Sequence, residues 1–299
     1  MALYDAFSAT AFGGSQAAII SDAANIPFAQ RQRMAREIGM PATAFIDACG
    51  DNWVRAQFLS TVMELPMCGH GTLCLATHLT ESGHFTHLDG IELQLPHSSA
   101  RVSLGRDHNG RRRVMLEVKA PGFTSAPPGL DELLSSLGVT SSVLSTTCPP
   151  EIAHGDFIHL LLPVTDLAAM RAVSPDFPAV VRYCQQHGIE TVAAFCLETE
   201  NPSCHLHLRD FCPAVGVAES AAAGTTNAAV SSYLHRHGLV EKSSTEITVL
   251  AEQGIELGRP SQIETRLEID QGNIQRLWVG GIATRVFQGE FLLADCDDG

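Results

Sequence analysis

The stretch Glu64-Leu65-Pro66-Met67-Cys68-Gly69-His70-Gly71 sets a carboxylate, a thiol and an imidazole around two glycines, where a strand gives way to a helix. A thiol at a helix start meets free N–H groups and the positive end of the helix dipole, which favour the thiolate. An imidazole two residues on can carry a proton near neutral pH. On this reading Cys68 is a base or nucleophile with a depressed pKa, and His70 orients substrate or transfers a proton. The bland alternatives are a small buried residue in a tight turn for Cys68 and a capping or packing residue for His70. Cys68, His70, Cys74 and His78 do not make a metal site by spacing, since C-x5-C is not a usual zinc pattern and two of the four share a helix that must pack. No metal is assigned.

About half a chain later, Glu219-Ser220-Ala221-Ala222-Ala223-Gly224-Thr225-Thr226 repeats the spacing without the chemistry. In both stretches a glutamate stands five positions before a glycine that opens a helix. Two duplicated halves are expected to point two helix N-termini at one shared cleft, an anion site for a carboxylate or a developing enolate. Gly69, Gly71, Ser220, Gly224, Thr225 and Thr226 are the binding candidates this yields. Glu64 and Glu219 read as structural anchors that accept backbone N–H bonds at the two turns. Asp210 follows Arg209 near a strand end and is expected to border the cleft. In "CHLHLRD", His205 and His207 alternate onto one strand face and read as sheet surface rather than as a ligand pair.

The elements that position these residues are mostly strands. "ALYDAF", "QAAIIS", "TAFIDA" and "VRAQFLS" precede the first motif, and "IELQLP", "ARVSL" and "RRVMLEV" follow it. "FIHLLLPV", "TVAAFCLE", "CHLHLRDF", "EITVLAE", "RLEID" and "RLWVGGIATRVFQG" make the second half. Helices are expected over "IPFAQRQRMAREIG", after His70 as far as Gly83, up to "CQQHG", and from about Thr225 to His237 with Gly238 as its stop. Strands outnumber helices and strict βαβ alternation is missing, which argues for an α+β fold. The Pro/Gly-rich stretch 120–129 marks the expected boundary between domains 1–119 and 120–284, with a tail from about 285 to 299 returning to the first.

The chain has 299 residues, 45% hydrophobic and 17% charged, enough for a core in each half. Asp and Glu outnumber Lys and Arg by 33 to 19, for a formal charge of −14. That excess disfavours nucleic acid and anionic membrane as partners. The run Arg111–Arg112–Arg113 reads as a turn tip. No leading apolar run resembles a signal peptide, and no stretch approaches a membrane span. Nine cysteines, several in apolar strands, fit reduced thiols in a cytoplasmic protein. A small-molecule substrate is expected; no surface feature fixes the oligomeric state, and a homodimer is compatible with it.

"ELPMCGHGTL" resembles the "ELP-x-CGH-A-T-L" signature of the PhzF-like (phenazine biosynthesis) family, within the diaminopimelate epimerase-like superfamily. "DAFSATAFGGSQAAII", "FCPAVGVAESAAAGTTNAAVSSYLHRHGL", "EQGIELGRPSQI" and "VGGIATRVFQGEF" resemble further motifs of that family, in order along nearly the whole chain. The resemblance implies two pseudo-symmetric domains, each a sheet wrapped around a central helix, with the site between them and no cofactor. It also exposes departures. The family's acid/base glutamate falls on Ala42 of "PATAF", its aspartate on Ser220, and the asparagine of its "FGGNP" on Ser15. Related two-thiol racemases match Cys68, but Ala223 holds the second thiol's place.

Catalysis is therefore expected from Cys68, His70 and Ser220, or from binding geometry alone, with Ser15 among the binding groups. The leading expectation is a cofactor-independent isomerase or cyclase of a small metabolite, in secondary metabolism by the resemblance, with a pericyclic or cyclisation step admitted. The rivals are a single-thiol racemase, epimerase or dehydratase, and an inactive binding protein of the same fold.

Overall fold

A computed structural model describes residues 1–240 and 245–292. Part of the expected C-terminal tail, 293–299, lies outside the described residues. The chain separates into two compact units: Met1–Phe12, Gln16–Val114 and the residues from Ile282, and Gly13–Ser15 with Met115–Gly281.

In the first unit the strands are β1 (Ala2–Ala6), β2 (Ser15–Ile20), β3 (Ala42–Cys49), β4 (Trp53–Leu59), β5 (Glu64–Leu65), β6 (Gly90–Gln94), β7 (Ser99–Arg106) and the start of β8 (Arg112–Val118). Helix α1 (Phe28–Ile38) connects β2 to β3, and α2 (Gly69–Glu81) connects β5 to β6. β2 runs parallel to β3, β3 antiparallel to β4, β4 antiparallel to β5 and parallel to β6, and β6 antiparallel to β7.

The second unit holds β9 (Gly122–Ser125), β10 (Glu151–His154), β11 (Ile158–Pro163), β12 (Thr191–Cys196), β13 (Leu206–Cys212), β14 (Val217–Ser220), β15 (Glu246–Gln253), β16 (Ser261–Asp270) and most of β17 (Asn273–Gln288). Its helices are α3 (Leu130–Ser136), α4 (Leu167–Ala172), α5 (Phe177–His187) and α6 (Gly224–His237). β11 runs parallel to β12, β12 antiparallel to β13, β13 antiparallel to β14 and parallel to β15, and β15 antiparallel to β16. This is the connectivity of the first unit, strand for strand, with α6 in the place of α2. The Pro/Gly stretch 120–129 carries β9, which pairs with β10, and the two units divide within β8.

Both motif helices are the enclosed ones. Nine of the thirteen residues of α2 and ten of the fourteen of α6 are buried. A helix buried on all sides must be apolar or small-residue throughout rather than striped. α2 does this with Leu73, Cys74, Leu75, Ala76 and Leu79; α6 uses Ala228, Ala229, Val230, Ser231 and Ser232. The outer helix α1 buries only Arg31, Met34 and Ala35, against Ile20, Phe45 and Leu59. Its Arg31 is fixed by the carbonyls of Ala23 and Ile26 and by Asp47 at 2.6 Å. In the second unit Leu133, Met170, Val180 and Tyr183 pack from α3, α4 and α5 onto Leu160, Leu162, Val192 and Phe211. No described helix is long and apolar enough to cross a membrane.

Candidate active site

Each motif is a short strand that turns directly into the enclosed helix. Glu64 lies in β5 and Glu219 in β14, and each following helix begins five residues on, at Gly69 and at Gly224. The residues before them, Cys68 and Ala223, are extended N-caps with no side-chain cap bond. Apart from the Gly71 N–H, which faces the Cys68 sulfur, side chains leave the first-turn amides uncapped, so a ligand anion can take them. The residue four positions on steadies each start: Thr72 Oγ1 donates to the Cys68 carbonyl at 2.8 Å, and Asn227 Nδ2 to the Ala223 carbonyl at 2.8 Å.

At the α2 start, Cys68 is buried and His70 half-buried. The sulfur lies 3.6 Å from both ring nitrogens of His70, so it sits against the ring between them rather than along either lone pair. Burial pushes the Cys68 thiol up to about 12, only partly offset by the Gly71 backbone N–H. Desolvation pushes the His70 imidazole down to about 4. The expected low-pKa thiolate is therefore corrected: loss of water outweighs the helix dipole, and both groups are neutral at pH 7. Gly71 is required by packing, because a Cβ there would meet Cys68 Sγ and Phe58 Cε1, both at 2.9 Å. Glu64 does not share the arrangement of Glu219; its Oε1 is buried and accepts no hydrogen bond.

The α6 start is more elaborately held. Glu219 accepts both Nε and Nη2 of Arg209 at 2.9 Å, and Arg209 Nη1 reaches the carbonyls of Met170 and Val173. Its bonding partner is a buried guanidinium rather than the backbone N–H groups expected. Gln253 accepts from Ala223 N and Asn227 Nδ2 and donates to the Ser220 carbonyl at 2.7 Å. Ser261 Oγ donates to the Ala221 carbonyl at 2.9 Å. Gly254, at φ +76°, passes so close that a Cβ would lie 2.5 Å from the carbonyls of Ala221 and Arg259. Arg259 in turn donates to the carbonyls of Gly14 and Gly13, at 2.8 and 2.9 Å, and so holds the segment that carries Ser15. The "EQG…GRPS" stretch is thus the brace of the 220–223 turn and of residues 13–15. Sequence reasoning did not assign Gln253, Arg259 or Ser261 to the site.

Asp210 departs furthest from expectation. It lies near the end of β13, as expected, but is 2% exposed, on a strand buried along its whole length between β12, β14 and β15. Thr226, 1% exposed, donates to its Oδ2 at 3.1 Å, so the Thr226 side chain faces inward and only its backbone N–H remains for a ligand. Thr225 and Ser220 are half-buried. The first unit thus gathers Glu64, Cys68, Gly69, His70 and Gly71; the second gathers Ser15, Asp210, Glu219, Ser220, Gly224, Thr225 and Thr226.

Two units of one connectivity, each a sheet around a helix that begins at the motif, define an epimerase-like fold. The phenazine biosynthesis-like protein family model matches residues 4–289, and the chain belongs to that family. It is 30% identical to the trans-2,3-dihydro-3-hydroxyanthranilate isomerase of Pseudomonas chlororaphis, over 97% of this chain and 98% of the relative. The fold matches a PhzF-family phenazine biosynthesis protein of Bacillus anthracis with a TM-score of 0.88, at 24% identity over 98% of each chain. A probable proline racemase of Agrobacterium radiobacter matches at a TM-score of 0.62 and 10% identity, over 99% of this chain and 94% of that one. Isomerase activity is thereby supported at the level of the family.

Proposed function

We propose that this chain is a cofactor-independent isomerase or cyclase of a small, enolisable carboxylate, and that its anion-binding elements are the helix starts of α2 and of α6. The observation that carries the reading is the pair of uncapped helix starts at matched positions of the two units. Backbone amides there are suited to hold a carboxylate or the oxygen of a developing enolate, and an enclosed helix cannot reorganise as charge develops. Cys68 and His70 beside the α2 start are neutral. A thiol held near 12 supplies almost no thiolate at pH 7, which speaks against the single-thiol racemase. His70, held neutral, can accept or donate a hydrogen bond without first losing a proton. Ala42 and Ser220 add no charge. The chemistry this suits is a proton shift, in which the neutral His70 imidazole takes the proton from carbon and returns it to the substrate, or a ring closure, with orientation and enolate stabilisation carrying most of the barrier reduction. The name of the Pseudomonas relative, an isomerase of a cyclic amino acid, points to the same substrate class.

Incubation in D2O with a panel of cyclic and open-chain amino and hydroxy acids tests this. Deuterium entering at the carbon next to the carboxylate or carbonyl, lost in Gly224→Val and retained in Cys68→Ala, is expected of proton-shift isomerisation. Product without deuterium identifies the ring-closure branch. Deuterium uptake that vanishes in Cys68→Ala and survives in Gly224→Val contradicts the proposal.

A further inference from the structure

A carboxyl buried without a cation needs an explanation, and Asp210 is such a group directly beneath the first turn of α6. Its neighbour in sequence, Arg209, is committed to Glu219 and to two carbonyls. Oδ2 takes the Thr226 hydroxyl, while Oδ1 is buried with no hydrogen-bond partner among the described residues. A carboxylate in that setting is costly, whereas a carboxylic acid is tolerated.

The second half of the arrangement is a route for its proton. His159 of β11 is 2% exposed, and its Nδ1 lies 2.6 Å from Thr191 Oγ1 and 3.5 Å from Thr226 Oγ1. Both hydroxyls also act on Asp210, drawing its pKa down against burial. His159 also lines a small recess with Lys119, Asp156, Thr225 and Ala228. A proton arriving on His159 Nε2 from water in the recess lets Nδ1 release its own to a threonine hydroxyl. That hydroxyl passes its proton to Asp210. Charge and protons balance: one proton leaves the recess, one arrives on the carboxylate, and the histidine ends in its other neutral tautomer. Burial keeps His159 down at about 4, so it relays without storing.

We propose that Asp210 is a positioning residue that sets anion binding at the α6 start: protonated, it leaves the first-turn amides to a substrate carboxylate, and ionised, it repels that carboxylate from below. This rests on the reading of the helix starts as carboxylate sites. The groups facing Asp210 are Glu219 from β14, Cys212 from β13, His159 from β11, Thr191 from β12 and Thr226 from α6, with Lys119 and Asp156 at the recess. Burial, with Glu219 adding to it, holds the carboxyl up at about 7. The change of charge therefore falls in the neutral range.

The test uses anthranilate as a cyclic amino-carboxylate probe, with aniline as the control that lacks the carboxylate. Calorimetric Kd values are measured on either side of neutrality for the wild type, Asp210→Asn, Thr226→Val and Thr226→Ser. Wild-type affinity for anthranilate should fall about tenfold as pH rises through 7, the scale of one like charge within a few ångströms to a nanometre. Asp210→Asn should bind tightly at both ends and lose the slope. Thr226→Ser should keep the slope, while Thr226→Val shifts its midpoint. Infrared difference spectra should show a protonated carboxyl that titrates near neutrality and is absent in Asp210→Asn, independently of any ligand. A slope that survives Asp210→Asn, or no such carboxyl in the wild type, overturns the proposal. Equal binding of aniline and anthranilate, unaffected by Gly224→Val, instead overturns the carboxylate site and this inference with it.

Discussion

At the residue scale, the decisive competition is between the helix dipole and burial. At Cys68 the dipole contributes at most about 2 kcal/mol toward the thiolate. Full burial without a cation costs more, and the thiol rises to about 12. The neighbouring imidazole offers no rescue, because it is itself held neutral. Cys68 should therefore react with iodoacetamide far more slowly at pH 7.5 than a free thiol does, followed by mass spectrometry of the native protein. Rapid, stoichiometric labelling of Cys68 before any unfolding would show a thiolate and reverse this assignment. The motif residues themselves were legible from the sequence, since each sits in a local strand-to-helix turn. Their ionisation was not, because desolvation depends on side chains such as Phe58 that arrive from other strands. Asp210 makes the same point: its surroundings, Thr191, Thr226 and His159, come from three separate elements.

At the scale of elements, the α6 start depends on the β15–β16 connection more than on its own sequence. Gln253 is fully buried and makes three hydrogen bonds to the 220–227 segment. Gln253→Ala should cost about 2–4 kcal/mol in denaturant unfolding, since it removes the Gln253 partner of the Ala223 N–H, of one Asn227 side-chain N–H and of the Ser220 carbonyl. A loss within about 0.5 kcal/mol would mean that the brace is not structural. The same connection carries a second tie. His207 Nδ1 meets Glu252 at 2.8 Å and Nε2 meets Glu256 at 2.9 Å, and Glu252 also accepts the amides of Glu200 and Asn201. Burial alone lowers the imidazole pKa, but the bonds to Glu256 and Glu252 outweigh it and hold His207 above its ordinary value. Its stabilisation is thus complete below the ordinary histidine value of about 6.5 and is lost as pH rises through the raised folded value. The Tm advantage of wild type over His207→Gln should shrink across that window; a difference independent of pH would contradict the ion-pair assignment. The period-two alternation of His205 and His207 was readable, but their shared face conceals unlike surroundings. His205 accepts the Leu250 amide, whereas His207 is enclosed by two carboxylates.

At the scale of the whole molecule, the duplicated plan was visible in one pair of octapeptides because the strand–turn–helix geometry tolerates little variation. The rest of the duplication lies in connectivity rather than in residues, and β5, β9, β10 and β14, each of two to four residues, are too short to announce themselves. By the resemblance, Ala42 and Ser220 stand where the family carries carboxylates, and Cys68 and His70 at the first motif are neutral. Restoring the pair as Ala42→Glu with Ser220→Asp should leave turnover of the native substrate unchanged or lower it, because each added charge must be desolvated at a cost of several kcal/mol. A severalfold gain would mark the chain as a decayed family member rather than a repurposed one. The most direct measurement compares kcat for Cys68→Ala and Gly224→Val on the substrate that the exchange panel identifies. If helix-start amides and orientation carry the reaction, Cys68→Ala loses no more than about tenfold and Gly224→Val loses more. A fall of ~10²–10⁴ in Cys68→Ala, the range for removal of a general acid or base, with Gly224→Val milder, would contradict the proposed function.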